Sequence, residues 1–209
     1  MSARENILQR IRSAQAHAVV PEVERIIAHP VRGPQPAPMV DLANRFIEQA
    51  QALSSHVLRV HTRNEIPDAI AGYLSANNLD RHALCWPDLL DLDWLAARIV
   101  VAAQPASTED AVGITGAFCA IAETGTLMLL SGAHTPAATS LLPETHIAVL
   151  DSARIVATME DAWDMLRRER GSLPRAVNFI SGPSRTADIE QTVTLGAHGP
   201  ARVLIVLVG

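Results

Sequence analysis

A mostly parallel β-sheet covered by helices is the fold class the sequence predicts, on three observations. From about residue 40 onward, short β-branched runs alternate with helix-patterned segments, which is the mark of parallel strands joined by helical crossovers. The chain closes on Arg202 to Val208, a continuous apolar run suited to a strand buried on both faces. With 209 residues, 48% of them hydrophobic and 19% charged, it can bury roughly 70% of its unfolded surface as one domain with an appendage.

Taken in order, residues 3 to 15 place Ile7, Leu8 and Ile11 at helical spacing among charged neighbours, which predicts a short amphipathic helix with a thin apolar stripe. The segment from Pro21 to Pro38 carries prolines at 21, 30, 34, 36 and 38 and reads as an extended linker. Residues 1–38 thus form a helical arm and Pro-rich linker, and residues 39–209 an α/β domain. Helix patterns are expected from Val40 to Leu53, Ile66 to Ala76, Leu89 to Ala96, Pro136 to Leu142 and Thr158 to Arg170, with Gly171 as a stop. Strands are expected at His56 to Val60, His82 to Trp86, Arg98 to Ala102, His146 to Leu150, Val177 to Ile180 (buried) and Arg202 to Val208.

The centre of the chain is GITGAFCAIAETGTLMLLSG, Gly113 to Gly132. A β-favouring run from Thr126 to Leu130 follows Glu123-Thr124-Gly125-Thr126, a carboxylate and two hydroxyls in apolar surroundings. Stripping water from a carboxylate costs several kcal/mol, so Glu123 must either be met by backbone amides or face a pocket. Directly after the Val177 to Ile180 strand comes Ser181-Gly182-Pro183-Ser184-Arg185-Thr186, with Asp188 and Glu190 beyond it. Ligands of open α/β sheets bind beyond the carboxyl ends of strands, where loops lead into helix starts. Backbone amides, the helix dipole and Arg185 together suit a carboxylate or phosphate. Capping by Ser184 or Thr186 explains the hydroxyls alone, but leaves the Arg185 charge unanswered at a helix start. A further turn, Gly196 to Pro200, offers His198 either for proton transfer or as a hydrogen-bonding wedge.

Composition excludes several chemistries. All seventeen basic residues are arginine, so neither a Schiff-base lysine nor a P-loop lysine is present. Net charge of −5 disfavours nucleic acid as a partner. Two cysteines, Cys85 and Cys119, are too few for a four-thiolate iron–sulfur cluster and read as buried apolar residues. No metal-ligand spacing, GxSxG elbow or GxGxxG after the first strand is visible. The N-terminus lacks a signal-peptide core and no apolar run reaches membrane-span length, so the chain reads as cytoplasmic.

Three segments together resemble a known family. AIAETGTLMLLSG, LLPETHIAVLD and NFISGPSRTADIEQTVTLGAHGP, ahead of a terminal apolar strand, are similar to the LUD domain of the lactate-utilisation protein C family, from about residue 40 to the C-terminus. The resemblance implies a sheet with helices on both faces, like that of the sugar-isomerase and coenzyme A transferase superfamily. It also implies a non-redox subunit of a system that oxidises L-lactate to pyruvate, with iron–sulfur clusters in partner subunits and no cofactor in this chain. The expected site joins Thr124, Gly125, Thr126, Ser181, Gly182, Pro183, Ser184, Arg185, Thr186 and Asp188 around a small anion, with Glu123 or His198 handling the proton. Two other readings stand beside it: an assembly protein whose pocket is vestigial, and a stand-alone acyl or sugar transferase or isomerase using Glu123 as nucleophile. A homodimer is allowed by the arm and the terminal strand without being demanded.

Overall fold

The computed structural model describes residues 3–16, 33, 38–186 and 194–209. The chain divides into two compact units, residues 1–36 and 37–209. In the first, helix α1 (Ala3–Ala16) carries Ile7, Leu8 and Ile11 exposed. The Pro-rich linker lies almost wholly outside the described residues, as does Asp188.

The second unit begins with α2 (Leu42–Ala52), started by Asp41, whose carboxylate accepts from the Asn44 amide. There follow β1 (His56–Val60), α3 (Ile66–Ala76), β2 (His82–Cys85), β3 (Val100–Ala102), β4 (Val112–Gly116), β5 (Cys119–Ile121), β6 (Thr126–Leu130), α4 (Ala138–Leu141) and β7 (Thr145–Asp151). The chain continues through β8 (Ile155–Val156), α5 (Met159–Glu169), β9 (Val177–Ile180), β10 (Arg185–Thr186), β11 (Thr194–Leu195) and β12 (Arg202–Val208). Six strands form a wholly parallel sheet in the order β1-β12-β7-β4-β2-β3. Four more form a mixed sheet, β8-β5-β6-β9, and β10 pairs with β11 as an antiparallel hairpin.

The two-residue period of the central strands divides the core. Ile147, Leu204 and Val206 face α3 with Ile66, Ile70 and Leu74. Ala148, Leu150, Val203, Ile205 and Leu207 face the other way, onto Phe46 and Ala50 of α2 and onto Ala120, Leu127 and Leu129 of the small sheet. The far face of that sheet, through Cys119, Ile121 and Met128, is covered by Ala162 and Leu166 of α5. Helix α5 is set by a reciprocal cap: the Thr158 hydroxyl accepts from the Asp161 amide and the Asp161 carboxylate from the Thr158 amide. The fold is therefore α/β with a mostly parallel sheet and helices on both faces, as expected, and a second sheet lies inside one of the two layers.

Four elements differ from expectation. Residues 89–96 are not a helix: a 3₁₀ turn at Pro87–Leu89 leads into successive turns, with the Asp93 carboxylate accepting from the Ala96 amide. The apolar half of the central stretch is two strands, β4 and β5, whose residues are buried on both faces and so show no alternation. Strand β9 is not buried but is a half-covered edge, with Phe179 exposed and in edge-to-face contact with Trp163. Arg185 and Thr186 are not helical but pair with Leu195 and Thr194 as β10 and β11, and the residues after Thr186, where the helix is expected, lie outside the described residues.

Candidate functional site

Because all six strands of the large sheet run the same way, the sheet has one amino edge and one carboxyl edge. The turns singled out in the sequence gather at the amino edge. Thr124 donates from its hydroxyl to Thr126 Oγ1 at 2.8 Å, and Thr126 Oγ1 shares a 2.8 Å hydrogen bond with Ser181 Oγ. The Ser184 amide donates to the Pro200 carbonyl and the Gly196 amide to the Ser184 carbonyl, so the turn bearing His198 abuts the Ser181 to Thr186 segment. His198 is exposed. The Glu123 amide donates to the Ala157 carbonyl; the carboxylate is half-buried and accepts no hydrogen bond from the described residues.

Close packing fixes two of these turns. Gly125, at φ +66°, lies where a Cβ would stand 2.4 Å from the Ala50 amide nitrogen, and Gly182, at φ +83°, where one would stand 2.2 Å from the Leu53 carbonyl oxygen. Both turns thus sit against the end of α2 and admit only glycine. Arg185 is turned to the same place: its guanidinium donates to the Leu53 carbonyl at 3.2 Å and to Ser54 Oγ. A cation at a helix carboxyl end answers the dipole there, so the charge left unanswered at an expected helix start is met by α2 instead. The carboxyl-end rule does not transfer to β9, because that strand runs antiparallel to β6 in the small sheet and delivers Ser181 to the amino edge of the large one.

Under the same edge lies a buried polar pair absent from the sequence expectation. His146 of β7 is fully buried, its Nε2 2.8 Å from Thr115 Oγ1, and its Nδ1 has no hydrogen-bond partner among the described residues. Burial lowers its pKa to about 4, so the ring is neutral.

The carboxyl edge is open. A cavity of about 530 Å³ lies beyond β2 and β4, bounded by Trp86 and Asp88, by Gly116 to Phe118, and by Leu130 to Gly132 at the end of β6. Its charged wall is built by Arg154 after β7 and by Glu169 and Arg170 at the end of α5, followed by Ser172, Leu173 and Pro174. Arg154 donates from Nη1 and Nη2 to the Glu169 carboxylate at 3.0 and 2.8 Å and from Nε to the Phe118 carbonyl, with its guanidinium 4.6 Å over the Phe118 ring. Hydrogen bonding from Arg154 holds the Glu169 carboxyl below its ordinary pKa, and the Arg170 charge adds to the effect. Arg170 is exposed and has no carboxylate hydrogen-bonded to it among the described residues. The arrangement can hold an anion on Arg170, next to an apolar wall that includes Trp86, itself tied by Nε1 to the Pro136 carbonyl at 3.3 Å.

A family model described as the LUD domain matches residues 43–208. The chain belongs to the LUD domain family. This LUD domain is 39% identical over 100 residues to lactate utilization protein C of Bacillus subtilis, covering 46% of this chain and 42% of that protein. It is 38% identical over 119 residues to lactate utilization protein C of an Exiguobacterium species, covering 56% and 52%. The chain thus matches about half the length of these curated relatives. A crystal structure of a DUF162 family protein from Deinococcus radiodurans aligns at TM-score 0.63 and 25% identity, over 83% of this chain and all of that one. Among the described residues, no helix is long and apolar enough to cross a membrane, and no group of three or more acidic, histidine or cysteine side chains could hold a metal. The two thiols sit in separate core clusters, with burial pushing Cys85 up to about 12 and Cys119 up to about 11.

Proposed function

We propose that this LUD domain serves lactate utilisation as a component without a redox centre of its own, working with iron–sulfur partner subunits and meeting an organic anion at the carboxyl-edge cavity. The observation that carries the role is family membership over residues 43–208 together with relatives named lactate utilization protein C. Two buried thiols in separate clusters fit a chain that leaves electron transfer to partners. The anion is argued from Arg170, a guanidinium on the cavity wall with no carboxylate bonded to it among the described residues, beside Arg154, whose charge Glu169 already answers. Glu123 as a nucleophile receives less support, because its turn packs at the opposite edge from the cavity.

Deleting the gene for this chain in its host and growing the strain on L-lactate as sole carbon source tests the role. Lost growth, restored by the intact chain, is the expected outcome, and unimpaired growth would remove the proposal. Recovery of iron-containing proteins with the tagged chain tests the partners.

A further inference from the structure

The cavity is larger than a three-carbon acid requires. At about 530 Å³ it lies in the range that takes drug-sized ligands, roughly 300–1,000 Å³, and lactate or phosphate alone would leave most of it wet. Beside the Arg154–Glu169 pair its lining carries Arg170 and Ser172, with Asp88, Ser131 and Thr135 as further polar groups, while Trp86, Ala117, Leu130, Leu173 and Pro174 supply apolar surface. Gly116, at the end of β4, leaves open space between the two: a Cβ there would meet nothing closer than the Trp86 ring at 4.0 Å. The α5 carboxyl end and Glu169 put negative charge beside Arg170, and Asp88 adds a carboxylate to the lining, so an anion is held by one guanidinium and gains the rest of its affinity from apolar burial.

We infer that the carboxyl-edge cavity binds an organic anion with a bulky apolar or aromatic body, its anionic group on Arg170 and its body against Trp86 across the space left by Gly116. This rests on the preceding reading only in taking the cavity as the ligand site. A carboxylate and a phosphate share the recognition chemistry at Arg170, and the probes separate them.

Calorimetric titration of the full chain with L-lactate, 3-phenyllactate, inorganic phosphate and adenosine monophosphate tests the inference. One of the two bulky anions is expected to bind about ten-fold or more tightly than its small counterpart, which identifies the anchoring group. Arg170→Ala should weaken that binding by about ten-fold. Gly116→Val, whose Cβ would meet nothing closer than the Trp86 ring at 4.0 Å and whose methyl groups enter the space, should abolish it while leaving the melting temperature near that of the parent. Equal binding of bulky and small anions, binding by none of the four, or binding that survives Gly116→Val would overturn the inference. None of these outcomes bears on growth on L-lactate, so the role in lactate utilisation stands or falls separately.

Discussion

The two edges of the parallel sheet are built on opposite principles. At the amino edge, glycines, hydroxyls and an arginine are drawn into contacts with α2, β9 and each other. At the carboxyl edge, residues from segments far apart in sequence surround open space and leave a cation without a bonded carboxylate. A motif dense in polar and glycine residues can therefore serve as a packing joint, while the binding surface proposed above is assembled from residues with no motif at all.

The comparison breaks first at the glycines. Gly182→Ala would combine a left-handed backbone with a Cβ 2.2 Å from the Leu53 carbonyl oxygen, and should destabilise the domain by about 3 kcal/mol in urea unfolding. Unchanged stability with lost ligand binding would make the amino edge the site after all. The buried histidine gives the next largest effect. Its folded pKa of about 4 lies below the ordinary 6.5, so the native state refuses a proton that the unfolded chain accepts. The associated stability is complete above pH 6.5 and is lost as pH falls from 6.5 towards 4, by up to about 3 kcal/mol. Unfolding midpoints at pH 7 and 4.5 should differ more for the parent than for His146→Gln, and equal differences would remove His146 as the source.

Arg185→Ala comes third, at about 1 kcal/mol, since it removes an exposed hydrogen bond from a cation to a helix carboxyl end. Binding of a bulky organic anion should not change, and a loss of binding without a loss of stability would return Arg185 to a ligand. Smallest in stability is Glu169→Gln, within a few tenths of a kcal/mol because the Arg154 pair is partly open to solvent, which screens it, and the amide oxygen can still accept from Arg154. Its effect should appear instead as a few-fold gain in anion affinity by titration, as Arg154 becomes an unanswered cation in the cavity wall.

Legibility in the sequence followed the same division. The Arg202 to Val208 run, the Thr158 to Arg170 pattern and the Ile66 to Ala76 pattern each carry a local signal strong enough to read, and each stands within a residue of where the pattern puts it, Thr158 and Arg170 being the caps of α5. Residues 89–96 carry leucines at helical intervals, but Pro87 starts a 3₁₀ turn, the Asp93 carboxylate holds the turn to Ala96, and Asp91 is drawn out to Arg63. Strands β4 and β5 were hidden because small residues buried on both faces have no period to detect. The cavity was illegible for a different reason: Trp86, Gly116, Arg154 and Arg170 come together only through the order of the parallel strands. Recognising Val112 to Gly116 as a strand would have been the one usable signal, since the rule that ligands sit beyond carboxyl ends then points to Gly116 and Ala117.

The position of β12 bears on how the domain comes into being. It stands between β1 and β7 and pairs with both, yet among the described strands of the domain it is synthesised after all the others, nearly the whole domain after its neighbour β1. During translation, β1 and β7 therefore wait with facing edges unpaired, and closure of the central sheet is a late event of high contact order. Unpaired edges of this kind are templates for strand exchange between nascent copies, so the interval before residues 202–208 emerge is the stage at which the chain is most exposed to misassembly.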